Sequence, residues 1–281
     1  MEKILDQAHI KAYAEHLYRE EKAKLTIEKY VRDIRHFYEY LPAEKVVDRE
    51  RVILYKEYLR GTYRVSSANS MLAALNVFFD YMGWGECRVK QFKTQKMFFC
   101  MQERQLTKKE YESLLNTASL DGDTQLNLIM QTICSTGIRV SELQYITVKD
   151  IRSGYAYIRN KGKSRVIFLP RPLMKVLNTF CRREDITKGP VFVNKNNRPI
   201  DRYTIWKKMN SLCSKSCVDA QKVFPHNLRH LFAFTFYSLE KDLLRLAEVL
   251  GHSSIETTRI YTTSNGEEHQ NIISRLGLVY G

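Results

Sequence analysis

Leu250-Gly251-His252-Ser253-Ser254-Ile255-Glu256-Thr257-Thr258-Arg259-Ile260-Tyr261 is the stretch on which the reading of this chain turns. Gly251 follows an apolar run and suits the left-handed residue that ends a helix. Ser253, with Glu256 three residues later, has the form of a capping box, so a new helix is expected to begin there. His252 then occupies a helix-to-helix corner, and Tyr261 falls about two turns into the new helix. With 17 tyrosines in the chain, a lone tyrosine is more often a packing residue. The rest of the sequence decides what this one does.

Upstream, His226-Asn227-Leu228-Arg229-His230 follows Pro225, a residue suited to the first helical position. His226, Arg229 and His230 share one face, while Leu228, Leu231, Phe232, Phe236 and Leu239 supply a core face opposite. Two imidazoles and a guanidinium on one stripe make a poor solvent face and a good phosphate site. His230 reads as a buried histidine bracing its neighbours. Further upstream, Thr136-Gly137-Ile138-Arg139-Val140-Ser141-Glu142-Leu143 has a helix-breaking Gly137 before a helix expected from Arg139, with Glu142 one turn on. Alone, such an Arg/Glu pair is usually a solvent-side ion pair. Between these clusters, Tyr155–Ile158 and Val166–Leu169 flank Asn160-Lys161-Gly162-Lys163, a hairpin signature with Lys161 at its turn and Lys163 as a nearby rival.

In this order and spacing the clusters resemble the tyrosine recombinase (phage integrase, Xer-like) family. That family carries a Thr-Gly-Leu/Ile-Arg-x-Ser-Glu box, a hairpin lysine, a His-x-Leu-Arg-His box, and Leu-Gly-His with a tyrosine nine residues after the histidine. The match covers about Leu106 to Tyr261, and Thr263 departs from a common histidine. The resemblance implies that Tyr261 is the nucleophile, that Arg139 and Arg229 hold the phosphate, and that Lys161, His226 and His252 complete the catalytic set. Glu142 and His230 support it. It further implies a 3′-phosphotyrosine intermediate, so that cleavage and rejoining of duplex DNA need neither ATP nor metal nor cofactor. Its partners would be duplex sites with inverted repeats, exchanged within a homotetramer on two sites.

The remainder of the chain fits that expectation. Its 45 Lys+Arg against 31 Asp+Glu give +14 over 281 residues, a balance that favours a polyanion. No apolar run is long enough to span a bilayer, and the polar start is unlike a signal peptide, so a cytoplasmic protein is expected. Six scattered cysteines read as reduced thiols. Residues 1–84 carry four amphipathic helical patterns and are expected to form a helical DNA-binding domain. The chain enters the first of them almost at once, so no extra arm-binding domain is expected. Residues 85–104 read as a basic linker lying on DNA, with Lys90, Lys93 and Lys96 as contacts and Lys163 as a further one. Thr107 and Glu110 open a catalytic domain over 105–262, and 263–281 is a tail whose short apolar stripe needs a groove to cover it, either on its own domain or, as the resemblance implies, on a neighbouring protomer. The fold class is thus mainly α with a small β-hairpin (α+β), in two domains forming a clamp around DNA. A type IB topoisomerase, which rejoins the original strand, and a DNA-binding regulator with a degenerate site are the rival readings.

Overall fold

A computed structural model of the chain describes residues 2–93, 105–160, 163–252, 254–261 and 274. The chain divides into two compact units, Met1–Lys96 and Met97–Gly281. In the first, α1 (Gln7–Arg19), α2 (Lys24–Tyr40), α3 (Arg49–Thr62) and α4 (Val65–Tyr81) enclose a core that includes Tyr13, Ile34, Phe37, Tyr55, Leu72, Phe78 and Phe79. Asp6 and Asp48 cap α1 and α3 by accepting the backbone N–H of His9 and Arg51, both at 2.7 Å.

This unit continues past the last helix. Cys87, which ends a 3-10 turn over Gly85–Cys87, and Val89 beyond it are buried, and no strand lies beside the segment that follows among the described residues. Two asparagines of α4 take its place. Asn76 accepts from Val89 N–H at 3.1 Å and donates to Val89 C=O at 2.9 Å. Asn69 does the same for Phe92 at 2.8 and 3.0 Å. Lys56 Nζ lies 4.8 Å from the Phe92 ring centroid. The part of the expected linker from Gly85 to Lys93 is therefore strapped to α4. Lys90 and Lys93 are exposed on it; Lys96 lies outside the described residues.

The second unit opens with the expected capping box. Glu110 N–H donates to Thr107 Oγ1, and Thr107 N–H to Glu110 Oε2 at 2.7 Å. Helix α5 (Lys108–Leu120) is followed by α6 (Thr124–Thr136), which is buried on nearly every side by α5, α8 and α11. Then come α7 (Val148–Ser153), the strands β1 (Tyr155–Asn160) and β2 (Lys163–Phe168), α8 (Arg171–Arg183), α9 (Arg202–Ser211), α10 (Cys213–Ser216), α11 (Pro225–Glu240) and α12 (Leu243–Leu250). The strands pair antiparallel from Tyr155↔Phe168 to Asn160↔Lys163. Lys161 and Gly162, between those last partners, lie outside the described residues, and so does the tail from residue 262 apart from Ser274.

Three sequence expectations are corrected. Residues Val140–Tyr145 form a 3-10 helix rather than an α-helix. Ile255–Thr257 and Arg259–Tyr261 are also 3-10 turns, entered from Ser254, whose side chain accepts from Glu256 N–H. Finally, Leu239 is 80% exposed: helical periodicity marks a face, not what covers it.

Candidate active site

Gly137 closes α6 with φ +63°, and a Cβ there would stand 2.4 Å from the Phe232 ring of α11. Glycine thus allows both the turn and the close approach of the two helices. Immediately after it, the 3-10 turn places Arg139 and Glu142 almost eclipsed. Glu142 is 1% exposed, which removes the solvent-side reading of this pair. It accepts from Arg139 N–H at 3.0 Å, Arg139 Nη1 at 3.1 Å and Arg165 Nη2 at 2.5 Å. Burial alone would push its carboxyl up, but Arg165, Arg139 and the backbone donor outweigh that and hold it below the usual range.

The C-terminus of α12 explains how the arginines come together. A helix ends with carbonyls that have no intrahelical donor and with a partial negative charge. Gly251, at φ +62°, lets its own N–H and that of His252 turn back to Glu248 and Ala247 C=O, each at 3.0 Å. The next three carbonyls each take a guanidinium from a different segment. Arg165 of β2 donates to Val249 at 3.0 Å, Arg229 of α11 to Leu250 at 2.7 Å, and Arg139 to Gly251 at 3.3 Å. Arg229 also donates to Gly137 C=O, so it staples the ends of α6 and α12. It is 1% exposed, its Nε has no partner among the described residues, and burial beside Arg139 and Arg165 pushes its pKa down to about 9.

The histidines and the tyrosine complete the cluster. His252 Nε2 lies 3.1 Å from Arg229 Nη2 and its Nδ1 2.8 Å from Thr258 Oγ1. A guanidinium cannot accept, so Nε2 is the acceptor and Nδ1 carries the proton that goes to Thr258. The rings of His226 and His230 stand edge-to-face at 4.4 Å, and His230 lies 5.4 Å from the ring of Tyr261, which is 4% exposed. Burial, neighbouring imidazoles and Arg229 push His230 to about 4; burial and the three arginines, with His226, do the same for His252. His226, more open to solvent, is lowered by burial and by Arg229 and Arg139. A cavity of about 570 Å³ opens on Arg139, His226 and Arg229 and continues along Arg202, Tyr203 and Trp206 of α9.

Of the expected site residues, Arg139, Glu142, His226, Arg229, His230, His252 and Tyr261 converge here. Lys161 lies outside the described residues, and of Lys163 only the backbone, at the start of β2, is described. Sequence reasoning missed Arg165, Thr258 and the α9 wall. A signal for Arg165 was present, since it alternates with Ile167 on the core-facing side of β2 and pairs in register with buried Ile158.

These features define a DNA strand-transfer enzyme of one known class. The chain belongs to the phage integrase family, the tyrosine recombinases: the family model matches residues 104–268, and that of the phage integrase N-terminal SAM-like domain matches 10–86. It is 29% identical over 287 residues to the tyrosine recombinase XerA of Pyrococcus furiosus, covering 99% of this chain and 97% of that protein. To the tyrosine recombinase XerD of Halalkalibacterium halodurans it is 29% identical over 264 residues, covering 84% and 86%. Among solved structures, a lambda integrase(75–356) dimer bound to a COC′ core site matches its fold with a TM-score of 0.74 at 18% identity, covering 95% of this chain and 97% of that one. The XerH site-specific recombinase bound to difH substrate matches with 0.71 at 21%, covering 91% and 80%.

Proposed function

We propose that this chain cuts and rejoins duplex DNA at a specific site through a covalent bond between Tyr261 Oη and the 3′ phosphate. The observation that carries the residue assignment is the α12 terminus, whose last carbonyls hold the Arg139 and Arg229 guanidiniums near Tyr261 and His230, both arginines lining the cavity. Such a surplus of fixed donors is suited to a phosphodiester, whose charge grows as the nucleophile approaches. Tyr261 Oη attacks phosphorus, its proton passes to neutral His226, and the bond from phosphorus to the 5′ oxygen breaks. The leaving oxygen takes a proton from Lys161, the family's hairpin lysine. Arg139 and Arg229 offer their forks to the nonbridging oxygens. His252 serves the same oxygens only after its Nε2 gains a proton, because that nitrogen now accepts from Arg229. Rejoining reverses each step with a 5′ hydroxyl from another strand.

Two such exchanges call for a homotetramer on two sites with inverted repeats. The lambda integrase tetramer solved on a Holliday junction supports this by analogy. A DNA substrate places the working enzyme in the cytoplasm, and no described helix is long and apolar enough to cross a membrane.

Tyr261→Phe tests the assignment. With a suicide substrate whose nick prevents rejoining, the parent is expected to leave a protein–DNA band on a denaturing gel. The variant is expected to bind the same DNA and leave none. A persisting covalent band would move the nucleophile to another residue.

A further inference from the structure

We propose that Arg165 is a positioning residue for the phosphate site, holding Glu142 in place so that Arg139 keeps its free donors turned to the scissile phosphate. The inference rests on the cleavage reading above and adds to it a residue that never meets the DNA.

Arg165 stands where the strand pattern calls for an apolar side chain, opposite Ile158 and one alternation from Ile167, both buried. Its guanidinium spans two elements. Nη2 meets Glu142 Oε2 at 2.5 Å and Nη1 meets Val249 C=O at 3.0 Å. A Cβ on Gly251 would come within 2.5 Å of Arg165 Cδ, so the glycine at the end of α12 also makes room for this side chain. Arg165 is absent from the cavity lining that includes Arg139, His226 and Arg229.

The role follows from how Glu142 divides its oxygens. Oε1 serves Arg139 Nη1, while Oε2 is shared between Arg139 N–H and Arg165. With Arg165 gone, Oε2 loses its charged donor, and a buried carboxylate turns toward the strongest remaining one. That donor is the Arg139 guanidinium, which would then be drawn into a two-pronged pair with Glu142 and away from a ligand. Arg165 keeps the carboxylate divided. A lysine has one compact ammonium and cannot reach both Glu142 and Val249 C=O in the fixed geometry of a fork.

The test uses the full chain and single-turnover formation of the covalent adduct on a suicide substrate. Two forms of that substrate are compared: the ordinary phosphodiester, and one in which a methylphosphonate replaces the scissile phosphate, removing the anionic oxygen that an arginine neutralises. Arg165→Lys keeps a positive charge beside Glu142. It is expected to show unfolding and DNA affinity close to the parent, yet to form adduct on the order of 10–100-fold more slowly on the phosphodiester, as when a partner that orients a functional ligand is lost. On the methylphosphonate most of that gap should close. Arg165→Gln, which keeps length without charge, is read in the same way should the lysine variant fold poorly. Equal slowing on both substrates would make Arg165 an ordinary structural residue and overturn the inference. So would a variant that cleaves the phosphodiester as fast as the parent does. A parent that forms no adduct on either substrate would instead bring down the cleavage reading itself.

Discussion

The segment after α4 and the end of α12 both carry backbone groups that no helix or sheet satisfies, and the chain closes them with opposite chemistry. At the first, Asn69 and Asn76 each give one donor and one acceptor to a single residue of the strap. At the second, Val249, Leu250 and Gly251 C=O are met by Arg165, Arg229 and Arg139. An amide has as many donors as the strap needs and brings no charge. A guanidinium has five donors and only some are used here, so charge and spare hydrogen bonds are left over. The asparagine clamp is complete as it stands. In the arginine cluster one carboxylate joins Arg139 and Arg165 while neutral His252 accepts from Arg229, an arrangement that packing alone does not call for and an anion does.

The largest expected effect comes from removing that carboxylate. Glu142→Gln keeps the shape but turns one oxygen into an amide donor facing Arg139 and Arg165. Breaking a buried charge cluster by deleting one member typically destabilises by about 3–5 kcal/mol. Denaturant unfolding of the variant should show a loss of that order, partly recovered in millimolar phosphate, which binds the folded guanidiniums. A loss under about 1 kcal/mol would mean that the α12 carbonyls hold the arginines without Glu142.

Next comes the pH dependence. His230 and His252 sit at about 4 in the folded chain, against an ordinary 6.5. Between those values the unfolded chain binds protons that the folded one refuses, so stability rises with pH across the window. It is complete above about 6.5 and falls away as pH drops toward 4. For the pair, allowing for partial exposure, the loss from pH 7 to pH 5 should be on the order of 2 kcal/mol. His230→Asn should flatten the slope in urea titrations at the two pH values. An unchanged slope would remove His230 from the account.

How much of this was legible beforehand divides along physical lines. Helices with full apolar stripes, the Thr107–Glu110 box and the Pro225 start were readable because each is a local pattern with a local cause. The convergence of Arg139, His226, Arg229, His252 and Tyr261 was not: spacing shows that residues share a face, and only the family resemblance said that the faces meet. Arg165 was hidden because one charge in a strand is usually taken as its solvent side, and nothing local shows that Glu142 lies across from it. The strap was hidden for a different reason. The backbone of Val89 and Phe92 is met by a pair of asparagines on a helix, which no strand-pairing rule anticipates.

The smallest expected effect belongs to that strap and tests the other half of the comparison. Asn76→Ala leaves Val89 N–H and C=O without their protein partners, but at a site where water can reach part of the lost bonding, so about 1–2 kcal/mol is expected. Because the clamp carries no charge, the loss should be the same at pH 7 and pH 5, unlike that of the arginine cluster. Adduct formation at saturating DNA should be unchanged. The sharper readout is trypsin. Arg88, Lys90 and Lys93 all expose their side chains, yet cleavage needs several residues of backbone to open into the protease. In the parent, Arg88 and Lys90 should therefore be spared while the two asparagines hold Val89 and Phe92. Asn69→Ala combined with Asn76→Ala should open both bonds to cutting without melting α1 to α4. If the parent is cut at Arg88 as fast as the double variant, the segment belongs to the linker after all, and the neutral clamp is a contact without strength.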